Sequence, residues 1–202
     1  MALDRNLLLG RSLEVAPLLL GSVITCTTQE GSVSLRVTEV EAYHGSDDPG
    51  SHAFRGKTKR NAVMFGEPGH LYTYFTYGMH TCANVVCSPE GTASGLLLRG
   101  GEIVDGLELA RSRRLTSKSD VDLARGPARL TVALGITLAD GGADLATSHI
   151  RLELSDGSLQ YATGPRTGLS GPGGGDDFPW RYWLPGERSV SPYKRHSAKK
   201  RV

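Results

Sequence analysis

Cysteine is scarce: 202 residues hold only Cys26, Cys82 and Cys87. None has the close partner that structural zinc or iron–sulfur ligand sets require. An odd, scattered trio also argues against a disulfide framework and fits a reducing compartment. Long apolar runs are missing too. The longest near the start, residues 15–20, is broken by Pro17 and followed by Gly21, too short for a bilayer span and unlike a secretory leader. No internal repeat is visible. Charge of one sign does not dominate, since 23 Lys and Arg face 21 Asp and Glu. The distribution is uneven, however. Acidic residues gather at 39–48, and basic ones follow at 55–60 and after 194. A polyanionic partner is permitted by this pattern and not required by it.

With 39% hydrophobic and 22% charged residues, the chain suits one globular domain with a substantial core. Leucines at helical spacing in 6–20 predict a short helix before a strand at 22–28. Residues 33–43 alternate. Val33, Leu35, Val37, Glu39, Glu41 and Tyr43 share one face if the strand is regular, which places two carboxylates in line with an apolar stripe. A long loop of functional type follows at 45–61.

Aromatics make up only 6% of the chain, yet three of its seven tyrosines fall within residues 72–77. The run 71–77, interrupted by Gly78 and resumed at 81–87, predicts a β-hairpin with Tyr77, Gly78 and Met79 near its tip. Further strands are expected at 96–99, 149–154 and 180–184, with helices at 105–114 and from Pro127 to about Leu134. The glycine-rich 164–177 is expected as a loop. The fold class is therefore mixed α/β (α+β): a single domain with a curved antiparallel sheet, packed helices and a protruding hairpin, without a helix-hairpin-helix. It would occupy 1–193, followed by a flexible basic tail, 194–202, with six basic side chains in nine residues.

An acidic group closing an apolar strand is costly to bury without a partner or a task, which makes Glu41 the candidate general base beside Tyr43. Taken alone, Glu39 and Glu41 favour the plainer reading of a solvated surface strand. The tyrosine run, taken alone, is what a hairpin packed on its core usually shows. A hairpin tip bearing Tyr77 and Met79 also has the form of a wedge between base pairs. Arg55, Lys57, Lys59 and Arg60 suit phosphate contacts or a solvated loop, and Arg125-Gly126-Pro127 suits a phosphate site or an ordinary helix entry.

In order along the chain stand Glu39-Val40-Glu41-Ala42-Tyr43, His52, Arg60-Asn61, Met64-Phe65, residues 68–72, Tyr77-Gly78-Met79, Asn84, Leu97-Leu98-Arg99, Arg125-Gly126-Pro127 and Gly164-Pro165-Arg166. This set resembles the alkyladenine (3-methyladenine) DNA glycosylase family, over about 7–191 and most strongly over 37–99. The resemblance implies that Glu41 deprotonates the attacking water and Arg99 helps to position it. Tyr43, His52 and Tyr74 would wall the base pocket, Asn84 would collide with the amino group of guanine, and Tyr77 would fill the gap left by the extruded nucleotide, with Met79 beside it. Arg60, Arg125 and Arg166 are candidates for DNA backbone or water contacts.

A metal-free, cofactor-free, monofunctional hydrolase is implied, acting as a monomer on double-stranded DNA that contains damaged purines. It would reside in the cytoplasm, on the nucleoid if bacterial, neither secreted nor membrane-bound. Two rivals stand beside it: a divalent-metal nuclease using Glu39, Glu41, Asp47, Asp48 and His52, and a non-catalytic damaged-DNA-binding protein.

Overall fold

The computed structural model describes residues 3–76, 78–157 and 159–197. Among them lie eight strands and three α-helices: α1 Ser12–Leu19, β1 Val23–Thr28, β2 Gly31–His44, β3 Leu71–Thr76, β4 His80–Val85, β5 Ser94–Asp105, α2 Leu107–Arg113, α3 Pro127–Leu134, β6 Ile150–Glu153, β7 Ala162–Gly164 and β8 Arg181–Trp183. The strands form one open antiparallel sheet in the order β3-β4-β5-β2-β1-β6, with β8 pairing the later half of β2 and β7 pairing β8. This is the mixed, single-domain architecture expected, with β7 unforeseen. The expected hairpin is β3-β4, with Thr76 opposite His80.

Helix α3 begins and ends where its sequence says it should. Pro127 stands in the first turn, where no N–H is needed, and Gly135 terminates the helix at φ +79°. One apolar core joins the inner residues of β1, β2, β4, β5 and β6 to Val15 and Leu19 of α1 and Leu130 and Leu134 of α3. A smaller cluster of Ala53, Met64, Tyr72, Val86 and Ala93 sits under the loop after β2. Asn61 ties that loop together: its amide donates to the carbonyls of His52 (3.0 Å) and Gly56 (3.1 Å), and its carbonyl accepts from the Thr58 N–H at 2.6 Å. Among the described residues no helix is long and apolar enough to cross a membrane.

Strand β2 departs from the regular alternation expected of it. Val33, Leu35 and Val37 enter the core, but so do Val40 and Ala42, so the inward parity reverses between them. The pairing with β5 explains the reversal. Val37 faces Gly101, Glu39 faces Gly100 and Val40 faces Leu98, which leaves Thr38 and Arg99 without opposite numbers. An extra residue in each strand re-aims the side chains that follow. Glycines make the close approach possible: a Cβ on Gly101 would lie 2.3 Å from Leu35 Cδ2, and one on Gly100 would lie 2.8 Å from the Ser189 carbonyl. Glu39 and Glu41 thus leave the stripe of Val33, Leu35 and Val37 for the face that Arg99 shares.

Candidate active site

On that face a cavity of about 290 Å³ opens between β2, the β3-β4 hairpin, the start of α3 and residues 167–169. Glu41, Tyr43, His52, Tyr74, Asn84 and Arg99 all line it. Six side chains spread over 59 positions are therefore brought to one wall system by four adjacent strands and one ordered loop.

Glu41 is 1% exposed. Its Oε1 accepts from the Thr167 N–H at 2.7 Å and its Oε2 from the Tyr43 hydroxyl at 2.9 Å. The Arg99 Nε lies 3.3 Å from Glu41 Oε1 and 3.0 Å from Glu39 Oε1. Neither approach has the direction of a hydrogen bond, so Arg99 is held as an ion between two carboxylates. Burial works against the Arg99 charge, but the neighbouring Glu41 and Glu39 carboxylates outweigh it and raise its pKa further. The Thr167 hydroxyl, also buried on this wall, has no partner in the protein.

Glu39 does not reach the cavity. It is 0% exposed and accepts from Arg181 Nε (2.6 Å), the Ser191 N–H (2.6 Å) and the Ser191 hydroxyl (3.0 Å). Its role is to fix Arg99 from behind.

The remaining walls are aromatic. Tyr72 and Tyr74 project from the same face of β3 with ring centroids 5.8 Å apart, and His52 meets Tyr74 edge-on at 4.5 Å. Such ring contacts contribute about 0.5–1.5 kcal/mol beyond area burial, which helps to fix the slot before a ligand arrives. His52 Nδ1 and the Tyr72 hydroxyl share a hydrogen bond at 3.1 Å. Burial, then the Arg60 charge, lowers the pKa of His52 and favours the neutral ring. Burial pushes up the phenols of Tyr43 and Tyr74, and the Glu41 carboxylate raises that of Tyr43 further. All are neutral donors near neutrality. The Asn84 amide donates to the Tyr72 carbonyl at 3.1 Å, which fixes the orientation of its side chain at the wall.

Residues expected to meet DNA fall into different places. Met79 is 68% exposed at the hairpin, whereas Tyr77 lies outside the described residues. Arg60 is exposed, donates to the Phe75 carbonyl at 3.3 Å and stands close enough to bias His52. Arg125 donates to the Val190 carbonyl at 2.8 Å and does not line the cavity, although Pro127 and Ala128 do.

Arg166 is not a surface loop residue at all. Its side chain is wholly buried, and its five N–H donors are spent on Asp48 Oδ1 and Oδ2 (both 2.6 Å), the Ala42 carbonyl (2.8 Å) and the Gly173 carbonyl (2.7 and 3.2 Å). No donor is left for a phosphate or for water.

Thr167 and Asp48 were not foreseen in these roles. Thr167 acts on Glu41 through its backbone N–H, which carries no side-chain signature. Asp48 is legible only once Arg166 is known to lie above it. The carboxylates that a metal nuclease would need are dispersed: Glu39 is committed to arginines, Asp48 to Arg166, and Asp47 faces Arg11 at the surface. Among the described residues no three His, Cys, Asp or Glu side chains are arranged to hold a metal ion. Of the basic tail, 198–202 lie outside the described residues, and the Lys194 carbonyl accepts from the Gly168 N–H at 2.7 Å.

The family model for methylpurine-DNA glycosylase (MPG) matches residues 7–188. A protein of Leifsonia xyli is 65% identical over 96% of this chain and 93% of its own length, and its assigned name is 3-methyladenine DNA glycosylase. Proteins of Streptomyces avermitilis (55% identical, 94% of this chain and 90% of the relative) and Nocardia farcinica (50%, 86% and 84%) carry the same assigned name.

Proposed function

The chain belongs to the methylpurine-DNA glycosylase family, and on that premise we propose that it flips a damaged purine out of duplex DNA and cleaves its glycosidic bond by direct attack of water. The observation that carries this reading is the convergence of a buried carboxylate, Glu41, and a buried cation, Arg99, at one wall of an aromatic slot.

Extruding a base costs about a few kcal/mol, least for a damaged or mispaired nucleotide, and the slot offsets this by stacking. Tyr43 takes one face of the base, with His52 and Tyr74 opposite. Tyr77 and Met79 occupy the gap in the duplex. Departure of the base leaves positive charge on the sugar, as in glycoside hydrolysis. Glu41 stabilises that charge and takes the proton of the attacking water, while Arg99 and the unpartnered Thr167 hydroxyl orient the water. Thr167 and Tyr43 hold both oxygens of Glu41, so the carboxylate need not reorganise during the reaction.

Asn84 excludes purines that carry an exocyclic amino group at the guanine position. Among the described residues that line the cavity none is a lysine, which supports hydrolysis without a covalent amine intermediate or strand cleavage. One copy of the chain suffices for one lesion. The test is release of free bases from methylated and from deaminated duplex DNA in the presence of a chelator, resolved by chromatography. Full release in chelator is expected, and damaged-DNA binding without release would overturn the reading.

A further inference from the structure

Behind Tyr43 lies a cation. The Arg166 guanidinium carbon sits 4.4 Å from the Tyr43 ring centroid and 5.1 Å from that of Trp180. Tyr43 lines the cavity and Arg166 does not, so the ring separates the guanidinium from whatever fills the slot. Guanidinium keeps its charge at every working pH. A bare cation there would oppose a second cation stacked on the other face of the ring, because unit charges about 8 Å apart still interact appreciably where screening is weak.

Asp48 removes that opposition. Its carboxylate takes both Arg166 terminal nitrogens at 2.6 Å, is itself 0% exposed, and is held in turn by the N–H groups of Gly50 (2.8 Å) and His44 (3.2 Å). Stability alone does not call for this arrangement, since well-packed apolar groups often serve as well as a buried ion pair. Its position against the base-stacking ring gives it a different consequence.

We propose that Asp48 sets the charge tolerance of the slot: by neutralising Arg166 behind Tyr43, it lets that ring accept a positively charged N-alkylated purine as readily as a neutral one. This rests on the base-stacking role proposed for Tyr43. Asp48 is a positioning residue in this account, acting through Arg166 and touching no substrate.

The experiment compares single-turnover release of 3-methyladenine, cationic within DNA, with release of hypoxanthine, which is neutral. Asp48→Asn lowers the cationic-to-neutral ratio by about tenfold, the order expected of one uncompensated charge at this range. Arg166→Gln does not lower it, and the double variant, with neither charge, returns to within about twofold of the parent. Loss of folded protein scales both substrates alike and leaves the ratio unmoved.

A second measurement needs no variant: competitive inhibition of the parent enzyme by 3,9-dimethyladeninium, a fixed cation, and by neutral 9-methyladenine. The cation is expected to bind at least as well. An unmoved ratio in an Asp48→Asn protein that melts cooperatively as the parent does, a double variant that keeps the shifted ratio, or about tenfold weaker inhibition of the parent by the cation would each overturn the proposal. Absence of any base release by the parent would instead count against the proposed function.

Discussion

The Tyr43 hydroxyl donates to Glu41 Oε2 at 2.9 Å from a position two residues further along the same strand. One face of β2 thus carries both the ring proposed to stack on the base and the carboxylate proposed to activate water, and the ring's own polar handle fixes the carboxylate. Tyr43→Phe keeps the ring and removes the donor. A hydrogen bond to a charged group is worth about 1.5–3 kcal/mol, so single-turnover base release should fall by about tenfold or more. Lesion-DNA affinity, measured by fluorescence anisotropy, should stay within about twofold. An equal fall in both would mean that the hydroxyl serves binding instead.

Asn84 is buried, tied to the Tyr72 carbonyl and turned to the slot. Asn84→Ser shortens the side chain and opens space where a guanine amino group would lie. Release of guanine-type bases should rise relative to adenine-type bases. An unmoved guanine-to-adenine ratio in competition assays would remove the steric role.

His52 gives a pH signature of known sign. Burial, then Arg60, holds its pKa below the ordinary 6.5. Below that value the unfolded chain binds the proton more readily than the folded one, so stability falls with pH; above it both states are neutral and the contribution is constant. The melting temperature of the parent should therefore fall more steeply below pH 6.5 than that of His52→Gln. Parallel curves would show that the histidine titrates as it does in water.

Glu39 stands at 3.0 Å from Arg99 and 2.6 Å from Arg181, with no exposure to solvent. Glu39→Gln leaves the buried Arg181 without the carboxylate it pairs with and Arg99 with Glu41 alone. Breaking a buried pair costs about 3–5 kcal/mol, and urea unfolding should show a loss of that order. A loss under about 1 kcal/mol would mean that water already reaches these charges.

Much of this architecture is legible in the sequence because local signals agree with it. Pro127 and Gly135 bracket α3, alternation around Gly78 marks the hairpin, and the ordered motif set picks out Glu41, Tyr43, His52, Tyr74, Asn84 and Arg99, which all meet at one cavity. What escapes is set by distant partners. The parity reversal in β2 depends on how Gly100 and Gly101 let β5 close on it, and no pattern within 33–43 encodes that register. Arg166 looks like a surface cation until Asp48, 118 positions away, is seen to neutralise it. Thr167 contributes through a peptide N–H that any residue but proline could supply.

The most direct test of the central claim is Glu41→Gln, assayed under single-turnover conditions alongside lesion-DNA affinity. The account predicts a loss of base release of at least about a hundredfold, the low end for a positioned general base, with affinity for damaged duplex retained. Release at the parental rate would contradict it.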